Sequence, residues 1–321
     1  IDIIQMKLIE WDTAGKKQQL HQLLRTEDGM GGIPYNHVTD AAIRISLENE
    51  FPMFRVRFFS TDWKPETTPT YVFVVQETSK IIVCYARPPT RGHDAILLQS
   101  ALGELVNLFF GQLDSDGETI FSMDSFTNRM LSEVMTARRG FDVSALSTCD
   151  HFYMTNETMQ MIEQVEYPPI DGFHVDSVDI ERDSLRIYDN WKFSPSLDET
   201  KAYLRDLPSL VARSSSSGEA VSWGMVTPFG WSTNLFTLPD FRGTGVSEFL
   251  GWHLCRRIIR QGLRPFMFVE IGNSAMLAAM KKKAVWKRWD TANGDGFPIH
   301  FSSIKRRIGT TPSTVHPRAN I

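Results

Sequence analysis

The stretch from Trp231 to Ser247 most constrains what this chain can fold into. It reads Trp231-Ser-Thr-Asn-Leu235-Phe-Thr-Leu238-Pro-Asp-Phe-Arg242-Gly-Thr-Gly245-Val-Ser247. Residues 235–238 are apolar and β-compatible, and Pro239-Asp240 closes the run. The Arg242-Gly243-Thr244-Gly245 corner lets the backbone turn tightly and brings successive N–H groups close to a ligand. A helix starting just after it aims its unsatisfied N–H groups and its positive dipole end at the same place. Strand, glycine corner and helix together hold a phosphate without a dedicated lysine.

Composition narrows the setting. The chain has 321 residues, 42% hydrophobic and 22% charged, enough for two cores. No apolar run approaches the roughly 18 residues of a membrane span. A net charge of −4 argues against a general nucleic-acid binder. Cys84, Cys149 and Cys255 lie far apart without a Cys-x-x-Cys, which fits packed thiols in a reducing compartment rather than disulfides or a zinc site. The sequence opens on Ile1, and Asp2 and Glu10 do not belong to an Arg- and Ser-rich transit peptide. The expectation is an intracellular protein, cytoplasmic or mitochondrial, with no bound metal.

The first half reads as an α/β unit. Strands are expected near 6–11, 53–60, 70–76, 81–87, 119–123 and 151–154, rich in β-branched and aromatic residues. Helices are expected at 13–27, 38–50, 93–112, 125–139 and 156–165, with a glycine loop at 29–34. Tyr167-Pro168-Pro169-Ile170-Asp171-Gly172 cannot continue a helix and marks a linker. The alternation then repeats: a strand at 175–178, helices at 184–191 and 196–207, and an antiparallel pair at 210–213 and 220–226. Ser196 with Glu199 matches a capping box. A faint echo joins the halves, since Phe121-Ser-Met-Asp124-Ser with Met130 resembles Phe268-Val-Glu270-Ile-Gly-Asn273 with Met276. The expected division is 1–166, a linker at 167–173, and 174–321.

Three phosphate motifs compete for the corner. A P-loop needs Gly-Lys-Ser/Thr, and none follows Gly245. A dinucleotide fingerprint needs a third glycine where Glu248 stands. Arg242-Gly243-Thr244-Gly245-Val246-Ser247 instead resembles the acyl-CoA pyrophosphate signature of the general N-acetyltransferase (GNAT) superfamily. Downstream, the strand at 265–270 and a helix opened by Asn273 follow the superfamily layout. Gly218-Glu-Ala-Val-Ser-Trp223, Phe236-Thr-Leu-Pro-Asp-Phe-Arg242, Asp189-Asn-Trp-Lys-Phe193 and the pair Trp286 and Trp289 are similar to the glycine N-acyltransferase family.

The resemblance implies an α/β (α+β) fold of two GNAT-like domains in tandem, each a mixed, mostly antiparallel sheet flanked by helices, the first degenerate. It implies acyl-CoA as co-substrate and transfer of the acyl group to the amine of a small acceptor such as glycine. Strand residues Leu235, Phe236, Thr237 and Leu238 would meet the pantetheine. The backbone of Gly243, Thr244, Gly245, Val246 and Ser247, with Arg242, would hold the pyrophosphate, and Asn273 would complete the site. Arg256 and Arg257 are either partners for the adenosine or a solvated helix face.

Attack by an amine needs a base, since the ammonium cannot attack. The family's glutamate position falls on Trp231, and the superfamily's tyrosine position falls on Met280, so both usual proton carriers are missing. Glu270 is the first substitute for the base. Cys149, Asp150 and His151 do not form one site, because neighbouring strand residues point to opposite faces. Three functions therefore stay open: an N-acyltransferase of small amines, a lapsed relative that binds acyl-CoA or a protein, and a GNAT acting on protein amines.

Overall fold

The computed structural model describes residues 7–28, 36–48, 51, 53–61, 70–78, 81–89, 93–110, 118–137, 141–192, 196–282, 285–291 and 293–306. The glycine loop at 29–34 and Phe193 lie outside them. The first half runs β1 (Ile9–Glu10), α1 (Ala14–Asp28), α2 (His37–Glu48), β2 (Arg55–Ser60), β3 (Val72–Glu77), β4 (Ile81–Arg87), α3 (Ala95–Phe110), β5 (Glu118–Asp124), α4 (Ser125–Ala137) and β6 (Phe141–Tyr153). After α5 (Asn156–Gln164) the order recurs: β7 (Phe173–Asp176), α6 (Ile180–Asp189), α7 (Leu197–Asp206), β8 (Ser209–Ser214), β9 (Ala220–Val226), β10 (Ser232–Thr237), α8 (Val246–Arg260), β11 (Phe266–Glu270) and α9 (Ser274–Lys282). Two further strands follow, β12 (Lys287–Arg288) and β13 (Ile299–Arg306).

Local chemistry explains most of these elements. The Val-Phe-Val-Val run of β3 is buried on both faces, as a central strand requires. Ser196 Oγ accepts from the Glu199 N–H at 3.2 Å and starts α7. The echo between halves is structural. Asp124 ends β5 and accepts from the N–H of Phe126 at 2.9 Å to start α4. Asn273 follows β11 and accepts from the N–H of Met276 at 3.1 Å to start α9.

The strands form two sheets. One is antiparallel, in the order β10-β9-β8-β7. The other runs β1-β2-β3-β4-β5-β13-β6-β11, with β12 also on β6, and is antiparallel except for the parallel β4–β5 pair. The last strand, β13, therefore inserts between two strands of the first half, with Ile299 opposite both Asp124 and Cys149. In turn β6 carries β11 on its C-terminal part, Phe266 opposite Tyr153 and Glu270 opposite Cys149. Residues 165–172 join α5 to β7, so Phe173, expected in the linker, already belongs to a strand, and the large sheet does not divide there. One apolar core includes Phe58 and Val74 from the first half with Tyr203, Trp223 and Trp289 from the second.

Two strands depart from expectation. β6 is 13 residues long rather than the short strand at 151–154, and β13 lies in a stretch for which no element is expected. The N-terminal part of β6, Asp142 to Leu146, is exposed on both faces. It lacks the alternation that burial imposes, and its ladder to β13 holds it extended. Elsewhere two elements begin earlier than the apolar spacing indicates: β7 at Phe173, where its ladder to Ser214 of β8 starts, and α6 at Ile180, because Asp179 caps it through the N–H groups of Glu181 and Arg182.

Candidate functional site

The glycine corner folds as its residue types require. Gly243 and Gly245 take φ of 79° and 86°, the left-handed region that a side chain makes costly. Thr244 Oγ1 donates to the Phe241 carbonyl at 2.8 Å and tightens the turn. Gly245 is the N-cap of this 15-residue α8 and supplies no side-chain acceptor, and the first helical N–H, of Val246, reaches only the Thr244 hydroxyl at a long 3.5 Å. A Cβ on Gly243 would meet nothing within 4 Å, whereas one on Gly245 would touch Ile170 Cδ1 at 3.4 Å. The corner is thus an open cradle of backbone donors.

Beside the corner, two neighbouring strands part. β10 and β11 lie side by side, yet one edges the small sheet and the other edges the large sheet, with no ladder between them. Their first-half counterparts, β4 and β5, pair from Ile81 opposite Glu118 to Tyr85 opposite Ser122. β10 is also bulged between Thr233 and Phe236, with Asn234 at φ 49°. A cavity of about 870 Å³ runs through the gap. Its lining includes Gly243, Gly245 and Ser247 at the corner, Leu235 and Phe268 on the two parted strands, and Val83 and Ile120 of the first half's sheet.

The structure sorts the residues singled out from sequence. Leu235, Gly243, Gly245, Ser247, Asn273 and Glu270 all line this cavity. Val246 is buried in the core, so only its backbone faces the corner. Thr244 has its hydroxyl turned to the Phe241 carbonyl. Phe236 stacks on Trp223 at 5.1 Å, Thr237 bonds Ser222 at 2.8 Å, and the Leu238 N–H donates to the Val221 carbonyl at 2.9 Å. Arg242 folds back, its Nε donating to the Thr237 carbonyl at 3.1 Å and its guanidinium over the Phe236 ring. Arg256 and Arg257 donate to the carbonyls of Glu163 and Ser209, at 2.7 and 3.1 Å.

Sequence reasoning missed Ser232, Thr233 and Asn234, which line the cavity along the edge of β10. Ser232 Oγ and Asn234 Nδ2 are buried without a hydrogen-bond partner, a cost that a ligand's amides would offset. The signal lay in Asn234, a residue tolerant of left-handed backbone in an otherwise β-forming run.

Charge and proton chemistry gather at the cavity mouth. Glu270 Oε1 lies 3.6 Å from Lys192 Nζ, with side chains 42% and 71% exposed. Cys149, opposite Glu270 in the ladder, is buried, and burial pushes its thiol up to about 11. Ser147 Oγ is 3.7 Å from its sulfur. Asp150 instead faces Arg288 at 3.8 Å, and His151 is buried among His37, Phe268 and Trp289. At the two positions where the resemblance implies proton carriers, Trp231 stacks on Phe229 at 4.7 Å, and Met280 is buried against Phe152 and Met267.

Solved structures share this architecture. A structural-genomics target from Drosophila superposes with a TM-score of 0.70 at 14% identity, over 93% of this chain and 97% of that one. A GCN5-related N-acetyltransferase from Sphaerobacter thermophilus gives 0.51 at 13% identity, over 94% and 96%. A tandem GNAT protein from the clavulanic acid biosynthesis pathway gives 0.52 at 8% identity, over 94% and 98%. The fold is that of the GNAT N-acetyltransferases. No family model matches the sequence, and comparison with curated proteins finds no match.

Two GNAT-like halves thus differ at one decisive place. In the first, the strand pair β4–β5 is zipped; in the second, the equivalent pair β10–β11 is open beside the glycine corner. Among the described residues no helix is long and apolar enough to cross a membrane.

Proposed function

We propose that the second GNAT-like half binds an acyl-CoA and transfers its acyl group to the amine of a small acceptor, in the manner of a glycine N-acyltransferase. The observation that carries this is the parting of β10 from β11 beside the glycine corner. The backbone N–H groups from Gly243 to Ser247 suit a pyrophosphate. The edge of β10, with the unpartnered Ser232 Oγ and Asn234 Nδ2, suits the amides of pantetheine. CoA would supply the activated thioester.

The chain's own part is to bring the acceptor in and take its proton. An amino-acid acceptor carries an ammonium and a carboxylate, and the neighbouring Glu270 and Lys192 offer one partner to each. Glu270 would take the ammonium proton, leaving the nitrogen lone pair to form the C–N bond as the C–S bond breaks; the second amine proton would pass to the departing thiolate, which leaves as the free thiol of CoA. A second reading rests on Trp231 and Met280: a relative that binds acyl-CoA without turnover.

One experiment separates them. CoA release is followed with acetyl-, benzoyl- and longer acyl-CoAs against amino acids and simple amines. Turnover on some pair is expected; CoA binding without turnover on any pair would favour the binder. Failure of both CoA and acyl-CoA to raise the melting temperature would sink the corner assignment itself.

A further inference from the structure

The zipped strand pair of the first half has a surface the acyl-transfer reading leaves unused. Val83 on β4 and Ile120 on β5 stand opposite each other across the parallel ladder. Their ladder neighbours Ile82, Cys84, Thr119 and Phe121 are fully buried, as residues in the middle of a covered sheet should be. Val83 and Ile120 are only half-buried. The reason is that both line the same cavity as the glycine corner.

The cavity therefore passes through the open pair of one half and stops against the closed pair of the other. Trp231, Phe229, Phe268 and Phe301 line the same cavity as Val83 and Ile120. Trp231 lies edge-on to Phe268 at 5.2 Å and to Phe301 at 6.4 Å, so the rings form a continuous apolar wall. Gln76, also in the lining, has its amide committed to the Tyr203 hydroxyl, which ties β3 of the first half to α7 of the second. The charged Lys192 and Glu270 side chains are 71% and 42% exposed, and the lining beside Val83 and Ile120 on the same strands adds Ile81.

We infer that this end is a selectivity chamber for an apolar chain or ring, and that Val83 and Ile120 set the length of group it admits. The first half is then the specificity wall of the site in the second. The inference builds on the acyl-CoA reading only in naming the two substrates that could carry the group, the acyl chain or the body of the amine.

Burying one methylene in such a chamber strengthens binding about fourfold, until the group reaches the wall and further length gains nothing. Calorimetry on acyl-CoAs of increasing chain length, and separately on primary alkyl- and phenylalkylamines without CoA, locates that break. The proteins compared are the native chain, Val83→Ala, Ile120→Ala and Val83→Trp. In one of the two series, the break is expected to move to longer groups in the alanine variants and to shorter ones in Val83→Trp. The alanine variants only remove atoms, so they decide the matter if Val83→Trp does not fold. Binding of CoA itself tests the corner independently. Should CoA not bind, the acyl-CoA reading fails and the amine series alone decides this one. No gain with length in either series, or one break point shared by every folded variant, would overturn the chamber.

Discussion

Trp231 stands edge-on to Phe268, ring centroids 5.2 Å apart, across the gap between β10 and β11. The position that the family resemblance assigns to a carboxylate is thus part of an aromatic wall. A carboxylate among these rings would be poorly solvated and would hold its proton more tightly. On the proposed acyl-transfer reading the proton acceptor comes from elsewhere on the cavity; Glu248 and Glu270 are the carboxylates in its lining, and Glu270 lies two residues beyond Phe268 on the same strand.

Glu270→Gln is expected to lower turnover near neutral pH by about a hundredfold, the scale of a lost general base. The deficit should shrink at high pH, where more of the amine is already neutral. A pH–rate profile unchanged in shape would remove Glu270 from the mechanism. Because its ion pair with Lys192 is exposed, the same substitution should leave stability within about 1 kcal/mol of the native chain.

Gly245→Asp should weaken CoA binding about tenfold or more. It places a carboxylate beside the phosphates and a Cβ at φ 86° against Ile170. Gly245→Ala carries the backbone strain without the charge. Titration of both variants with CoA separates the two contributions, and equal affinity in Gly245→Asp and the native protein would refute the phosphate contact.

His151 has neither ring nitrogen partnered and is fully buried, which pushes its pKa down to about 3. In the unfolded chain it titrates near 6.5. Between those values only the unfolded state takes up the proton, so stability is full above about pH 6.5 and falls progressively as pH drops toward 3. His151→Phe should therefore be more stable than the native chain at pH 5, by about 1 kcal/mol or more, with a flatter pH dependence. His37, depressed chiefly by the same burial, would leave a residual slope. Urea unfolding at pH 5 and pH 8 gives the comparison.

Arg213 is buried beneath the small sheet, with Nη2 donating to Asp183 at 2.7 Å and Nε to Asp176 at 2.9 Å. The Asp183 and Arg213 side chains are 3% and 6% exposed. Asp183→Ala leaves the guanidinium with only the exposed Asp176 carboxylate and the Ser177 carbonyl and should cost about 3 kcal/mol. The double change Asp183→Leu with Arg213→Met should recover most of it, because neither charge is then left alone. Denaturant midpoints of the three proteins test the coupling.

Some of this was legible because it is written in short-range chemistry. Ser196 with Glu199, Asn273 before its helix, and the glycines at the corner each act within a few residues of themselves. Other parts act at a distance. The Asn234 bulge appears only when β9 fixes the register of β10. Phe236, Thr237 and Leu238 share the run that carries Leu235, but pairing with β9 turns them or their backbone groups to other partners.

By itself the sequence determined the corner and its helix, the repeated order of strands and helices, and a tryptophan and a methionine, neither of them a proton carrier, at positions 231 and 280. Backbone conformation, capping and residue identity are local properties, so one pass along the chain finds them. Only the tertiary structure decided that β13 slots between β5 and β6, that β10 and β11 part where β4 and β5 close, and that the closed pair walls the cavity of the open one. Those outcomes depend on which edges meet across the fold. Ile299 reaches Asp124 and Cys149 through ladders spanning more than half of the described chain, and no local pattern records that choice of partner.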